Sequence, residues 1–155
     1  MRTVAPYEVG ITVADLDRVL DFYVRVLRLR VLSDVRVPAE IGRRTGLAPG
    51  AYRVVRLESP SGDRFKLAQP AAPPAEAPPA AVAMQRRGGP YVTFIVDDLD
   101  RVQARLAAAG VPVRSQGAVE VRPGLRLLLV TDPEGNFVEI VQYDDVTSYR
   151  PIPQG

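Results

Sequence analysis

A single carboxylate, Glu139, lies in the middle of an apolar run near the end of the chain, Phe137–Val141. Burying an unpaired charge is costly, so a carboxylate at this place needs a partner or a function. The run follows a tight turn at 132–136, and the same arrangement of turn and strand occurs earlier, at 59–69. When the two copies are aligned on Pro-x-Gly, the only lysine of the chain, Lys66, falls on Glu139. An amine and a carboxylate can polarise a carbonyl group and move a proton.

The entry to a helix is repeated as well. The pentapeptide Asp-Leu-Asp-Arg-Val occurs at 15–19 and again at 98–102, each time after an alternating strand. In this register Tyr91 falls on Glu8. An internal repeat of this kind indicates two copies of one structural unit. Two such units, each with a sheet that is apolar on one face, bury the most surface by arranging their sheets around a common concavity.

Apolar periodicity predicts the elements of both units. In the first unit we expect a strand at 7–13, a helix at 15–28 with Asp15 as its N-cap, and then elements at 30–37 (strand), 38–45 (helix), 52–58 and 64–69 (hairpin). In the second we expect a strand from 91, a helix that stops at Gly110, and strands at 119–121, 125–130 and 137–143. The predicted organisation is a module at 1–69, a Pro/Ala-rich linker at 70–90, a second module at 91–143 and an extended tail at 144–155.

Composition excludes several classes of function. The chain has no cysteine and no histidine, so it lacks thiol chemistry, the commonest metal ligand and the commonest general base. Its net charge of +2 is spread over many segments, which argues against a nucleic-acid partner. No long apolar run indicates a membrane span, and the N-terminus lacks the pattern of a signal peptide. We therefore expect a cytoplasmic protein that acts on a small molecule.

The repeat resembles the vicinal-oxygen-chelate superfamily, which includes glyoxalase I, extradiol dioxygenases, methylmalonyl-CoA epimerase and the bleomycin- and fosfomycin-resistance proteins. The resemblance runs from about Tyr7 to Tyr143, and it is carried by Val9–Val13 with Asp15-Leu16-Asp17, Phe22-Tyr23 before Leu27, Phe94–Asp100, and Asp132–Asn136 before Glu139. It implies an α+β fold in which two βαβββ modules form an eight-stranded, cup-shaped sheet. It also implies a homodimer as the expected assembly.

Metal-binding members of the family place ligands on the first and last strand of each module. The corresponding positions here are Glu8, Lys66, Tyr91 and Glu139, which the resemblance would bring together on the floor of the cup. Lysine and tyrosine depart from the usual ligands, and Lys66 puts a cation where the charge of the metal would lie. The resemblance therefore implies the fold without implying metal-dependent chemistry.

One interpretation of these four residues is structural. Glu8, Lys66 and Glu139 could neutralise one another while Tyr91 donates a hydrogen bond. The protein would then resemble the bleomycin-resistance binders, which hold an antibiotic without catalysis. The residues that could grip a ligand in that case are Thr12, Arg43, Arg44, Tyr52 and Arg53.

A second interpretation is catalysis without a metal. Lys66 would polarise a carbonyl or hold an enolate, Glu139 or Glu8 would remove the neighbouring proton, and Tyr91 would return a proton. The reaction would be an isomerisation, epimerisation, elimination or ring closure on an oxygenated substrate, with no cofactor.

Two further interpretations rank lower. Glu8 and Glu139, with the Tyr91 oxygen, could hold Mg²⁺ or Mn²⁺, although Lys66 opposes a cation there. Schiff-base chemistry at Lys66 requires the neutral amine, which neighbouring carboxylates disfavour.

Overall fold

The computed structural model describes residues 7–78, 80–85 and 87–149. Within these ranges the chain forms two compact units, 1–78 and 79–155, with the boundary in the Pro/Ala-rich segment. The strands divide into two four-stranded sheets, one in each unit. The prediction of two βαβββ modules in an α+β fold is confirmed.

The first unit has the order strand, helix, strand, helix, strand, strand. Its elements are β1 (Glu8–Thr12), α1 (Leu16–Asp21), β2 (Arg30–Val37), α2 (Ala39–Thr45), β3 (Tyr52–Glu58) and β4 (Arg64–Pro70). The strand order across the sheet is β1-β4-β3-β2. Strands β1 and β4 run parallel, whereas β3 runs antiparallel to both β2 and β4. The two strands that carry Glu8 and Lys66 are therefore neighbours.

The second unit repeats this topology. Its elements are β5 (Val92–Ile95), α3 (Leu99–Ala108), β6 (Val119–Arg122), β7 (Leu125–Thr131), β8 (Phe137–Tyr143) and a helical turn, α4 (Val146–Tyr149). The strand order is β5-β8-β7-β6, with β5 parallel to β8. Val9 pairs with Phe65 in the first sheet, as Val92 pairs with Val138 in the second.

Each sheet packs one face against the helix that follows its first strand, α1 in the first unit and α3 in the second. In the first unit the buried residues of alternate strand positions, Ile11, Val55, Leu57, Phe65 and Leu67, lie on the same face as the helix residues Leu16, Val19 and Tyr23. Tyr23 stacks at a tilt on Phe65, with ring centroids 4.8 Å apart. In the second unit the equivalent core is formed by Leu99, Val102, Leu106, Leu128, Val130, Val138 and Ile140. Because successive side chains of a strand point to opposite faces, the other face of each sheet carries the residues in between.

The repeated Asp-Leu-Asp sequence begins both long helices. The first aspartate of each copy is an N-cap whose side chain accepts a hydrogen bond from the backbone amide three residues on: Arg18 N to Asp15 at 3.1 Å, and Arg101 N to Asp98 at 2.9 Å. Such a cap satisfies an amide that the helix leaves without a partner. This part of the repeat therefore serves the fold.

The second aspartate of each copy joins the helix to the sheet. Arg53 on β3 contacts Asp17 through Nη1 at 2.7 Å and contacts Asp34 on β2 through Nε and Nη2, at 2.9 and 2.7 Å. Arg126 on β7 makes the equivalent pair with Asp100, at 2.6 and 3.0 Å. The Arg53 guanidinium beside Asp34 lowers the pKa of that carboxyl, and the two carboxylates hold the pKa of Arg53 above its ordinary value.

Replacement of Arg53 by methionine should destabilise the protein in a pH-dependent way. Asp34 has a pKa below its ordinary 3.8 in the folded state, so this pair stabilises the fold above that pH and ceases to do so as the carboxyl is protonated. At neutral pH we expect Arg53→Met to lose about 1 kcal/mol, since solvent screens the pair. The measurement is urea unfolding between neutral pH and pH values below the ordinary pKa of Asp34, with Arg25→Met as the control for loss of an exposed charge. A difference between wild type and Arg53→Met that grows on acidification would contradict the role of this pair.

Both copies of the turn before the last strand are closed by a side chain. In the second unit the buried Asp132 accepts three hydrogen bonds, from Glu134 N at 2.9 Å and from the Asn136 backbone and side-chain nitrogens at 3.0 and 2.9 Å. Gly135 has a φ of +83°, which favours glycine. In the first unit the Ser59 hydroxyl accepts one such bond, from Asp63 N at 3.2 Å. The turn that aligns the two copies in the sequence is therefore a structural feature of the fold.

Two features differ from the sequence prediction. The helix expected at 15–28 changes after Asp21 into a π-helical turn, Phe22–Val26, and Arg28 with a φ of 66° ends it. The tail predicted to be extended forms the turn α4, because the Asp145 carboxylate accepts hydrogen bonds from Thr147 N and Oγ1, at 3.0 and 2.6 Å. The prediction of an extended tail is thus wrong at Val146–Tyr149, and its last part, 150–155, lies outside the described residues.

Across the described ranges, no helix combines the length and the hydropathy of a transmembrane segment.

Candidate functional site

The first unit brings two of the four predicted residues into contact. Glu8 on β1 and Lys66 on β4 lie on the sheet face opposite α1, and Lys66 Nζ is 3.2 Å from Glu8 Oε2. Their side chains are 24% and 32% exposed, so the pair is partly shielded while still open to a ligand. Gly10, the residue beside Lys66 on β1, has no side chain to cover the lysine.

A third charged residue belongs to this pair, and the sequence interpretation missed it. Arg56 on β3 pairs directly with Lys66 across the strands. Its Nε lies 3.8 Å from the same Glu8 Oε2, and its Nη1 lies 3.4 Å from the Ser33 hydroxyl on β2. We call Glu8, Ser33, Arg56 and Lys66 the charged cluster of the first unit. With two cations and one carboxylate, it carries a net charge of +1.

The hairpin offered a signal for Arg56. A turn centred on Pro60-Ser61-Gly62 pairs residues whose distances from the turn are equal, and that count places Arg56 opposite Lys66. Because successive strand positions point to opposite faces, Arg53, three residues before Arg56, lies on the other face of the sheet.

The other predicted ligand contacts of the first unit divide into three groups. Thr12 on β1 and Tyr52 on β3 lie on the face of the charged cluster, by strand alternation from Glu8 and from Arg56. Arg43 and Arg44 lie in the last turn of α2, where they are exposed, and Arg44 pairs with Glu40 at 3.4 Å. Arg53 lies on the opposite face, and its contacts with Asp17 and Asp34 favour a structural role.

In the second unit the predicted carboxylate lies on the corresponding face. Glu139 on β8 pairs with Thr93 on β5, and the Thr93 hydroxyl donates a hydrogen bond to Glu139 Oε2 at 2.6 Å. Its neighbour on β7 is Leu129, which occupies the position that Arg56 has in the first unit. Among the described residues of this unit, no arginine side chain lies within salt-bridge distance of Glu139. Tyr91 precedes β5 by one residue and is 41% exposed.

The alignment that placed Lys66 on Glu139 is confirmed by strand pairing. Gly10 pairs with Lys66 in the first sheet as Thr93 pairs with Glu139 in the second. The same register places Tyr91 on Glu8. A single site built from all four residues stays a prediction, because it joins residues of both units.

The donor set does not fit the metal site that the resemblance implies. Glu8 is already engaged by Lys66 and Arg56, whose positive charges oppose a bound cation. Within residues 7–78, 80–85 and 87–149, no three Asp or Glu side chains lie together as a metal requires.

The sequence matches a known protein family. The family model of the Glyoxalase/Bleomycin resistance protein/Dioxygenase superfamily matches residues 6–140. The chain belongs to this superfamily. No protein of curated function matches the sequence significantly.

Solved structures share the fold at low sequence identity. A glyoxalase family protein from Bacillus cereus is 23% identical with a TM-score of 0.78, over 92% of this chain and 96% of that one. A glyoxylase/bleomycin resistance protein/dioxygenase domain from Frankia sp. EAN1pec is 20% identical with a TM-score of 0.70, over 92% and 93%. The trypanothione-dependent glyoxalase I of Leishmania major is 20% identical with a TM-score of 0.63, over 92% and 88%. These similarities establish the fold. The reaction has to be inferred from the residues of the site.

Proposed function

We propose that this protein is an enzyme that transfers protons on an oxygenated small molecule without a metal. The reaction would be an isomerisation, an epimerisation, an elimination or a ring closure. The observation that carries the proposal is the place of Lys66. The sole lysine of the chain lies on the open face of the sheet, 3.2 Å from Glu8, at a position where metal-binding relatives have a ligand.

Lys66 supplies the positive charge in this proposal. A proton next to a carbonyl becomes acidic when the oxygen is stabilised as an enolate, and a fixed ammonium group near that oxygen provides such stabilisation. Glu8 contacts the ammonium group, and Arg56 in turn lies beside Glu8. The proposal requires the ammonium group to keep this place when the substrate binds.

A carboxylate removes the proton. Glu8 already shares one oxygen with two cations, whereas Glu139 accepts a hydrogen bond from the neutral hydroxyl of Thr93. Glu8, which lies in the same unit as Lys66, is the proposed base, and its protonated form returns the proton to the substrate. The roles that the sequence predicts for Glu139 as a base and Tyr91 as an acid, both in the second unit, stay predictions. The homodimer and the cytoplasmic location expected from the sequence stay predictions.

The experiment is solvent exchange followed by ¹H NMR in D₂O. The purified protein is mixed with 2-oxo acids, 3-oxo acids, hydroxyketones and acyl thioesters, and the signal of the proton next to each carbonyl is followed. We expect loss of that signal for one of these compounds, at a rate that dialysis against EDTA leaves unchanged. Buffer without protein is the control.

Two outcomes would contradict the proposal. Exchange that EDTA abolishes and Mg²⁺ or Mn²⁺ restores would indicate a metal-dependent enzyme. Binding of one of these compounds without any exchange would indicate a binding protein of the antibiotic-resistance type.

A further inference from the structure

The charged cluster of the first unit has one more positive charge than negative charge. Glu8 lies 3.2 Å from Lys66 and 3.8 Å from Arg56, and both cations share a single oxygen of that carboxylate. The contact with Arg56 is longer than a hydrogen bond, so the guanidinium is attracted by Glu8 without being fully hydrogen-bonded to it. One further anion would balance the cluster.

The free donors of Arg56 are arranged on the open face. Its side chain is 41% exposed, and within this unit its two contacts are the long one to Glu8 and one of 3.4 Å to the Ser33 hydroxyl. Arg53, only three residues away, donates to two carboxylates on the opposite face at 2.7–2.9 Å. Arg53 therefore stabilises the fold, whereas Arg56 still has donors available for a ligand.

We infer that Arg56 binds a substrate carboxylate that lies next to the reacting carbonyl, which Lys66 binds, so that the substrate is a 2-oxo acid. The inference rests on the proposed function, which assigns the carbonyl oxygen to Lys66. A planar guanidinium matches a carboxylate through two parallel hydrogen bonds, and Ser33 supplies a further hydroxyl beside it. A guanidinium binds carboxylate and phosphate oxygens alike, so the carbonyl that Lys66 would bind is what distinguishes a 2-oxo acid from free phosphate.

Pairing geometry supports this division of roles. Arg56 and Lys66 face each other on adjacent antiparallel strands, so their cationic groups can reach the neighbouring carboxylate and carbonyl groups of one small 2-oxo acid. The second unit has Leu129 at the position of Arg56, so only the first unit presents this pair. The anion is therefore expected at the first unit.

The test is a binding titration that does not depend on turnover. Pyruvate, its uncharged amide pyruvamide, acetate and inorganic phosphate are titrated into ¹⁵N-labelled protein, and the backbone amide shifts of Ser33, Arg56 and Lys66 are followed. We expect pyruvate to bind at least about tenfold more tightly than pyruvamide and than phosphate. Arg56→Met should weaken pyruvate binding by about tenfold to a hundredfold and leave pyruvamide unchanged.

Two variants complete the test. Arg56→Lys keeps the charge without the planar fork and should restore part of the affinity. Arg25→Met, which removes an exposed arginine of the π-helical turn Phe22–Val26, should change nothing. Equal binding of pyruvate and pyruvamide, or pyruvate binding that Arg56→Met leaves intact, would overturn the inference. If pyruvate binds through Arg56 but no carbonyl compound exchanges its proton, the carboxylate site stands and the proposed function fails.

Discussion

Lys66→Met should lower the rate of proton exchange at least about a hundredfold while the protein stays folded. Methionine keeps much of the length and apolar stem of lysine but removes the ammonium group that the enolate oxygen needs. Loss of one preorganised donor to a developing oxyanion typically costs this much in rate. The measurement is the exchange rate of the compound that the wild-type protein turns over, with bound compound confirmed by titration.

The fold should tolerate this change. Lys66 is partly exposed and its replacement leaves Glu8 with Arg56 as a cationic neighbour, so we expect a loss of at most about 1 kcal/mol in unfolding free energy. Arg25→Met is the matched control, because it removes one exposed positive charge from the helical segment that packs on the opposite face of the sheet and should keep full activity. Wild-type exchange in Lys66→Met would remove the lysine from the mechanism. Unchanged affinity with no chemistry in either protein would favour a binding function.

Asp132→Ala should be the most destabilising of the substitutions considered, by about 3 kcal/mol. Asp132 is only 3% exposed and accepts three hydrogen bonds, two from backbone amides and one from the Asn136 side chain. Alanine would leave these donors without the acceptor that the buried carboxylate provides. Urea unfolding at neutral pH measures the change.

The repeat supplies a control for this prediction. Ser59 occupies the same place in the first unit, but its hydroxyl accepts only one backbone bond and the site is exposed. Ser59→Ala should therefore cost about 1 kcal/mol or less. An Asp132→Ala variant that is no less stable than Ser59→Ala would show that the buried carboxylate does not hold the turn.

Most of the fold could be predicted because its signals are local. Alternation gave the bounds of β2 and β3, and the turns before β4 and β8 carry the Pro-x-Gly sequence that marks them. The π-helical turn after Asp21 could not be predicted in this way. Its apolar residues keep a helical spacing, and only packing distinguishes a π-helical turn from an α-helical one.

The candidate site was only partly predictable. Lys66 and Glu139 stand out because each interrupts an apolar strand, and the repeat relates one to the other. Arg56 does not stand out, since β3 carries two arginines, Arg53 and Arg56, in the same apolar surroundings. Strand alternation puts Arg53 on the face of the buried Val55 and Leu57. The carboxylates that engage Arg53 there, Asp17 and Asp34, come from other elements.

The ion pair that joins the first helix of each unit to its sheet bears on the origin of the two units. Arg53 with Asp17, and Arg126 with Asp100, are the same device in both halves, as are the caps and the closing turns. The open face of the sheets differs between the two units. There Tyr91, Leu129 and Glu139 take the positions of Glu8, Arg56 and Lys66. This pattern is typical of a tandem gene duplication. The residues that stabilise the fold stayed alike in the two units, while the side chains of one sheet face came to differ in chemistry.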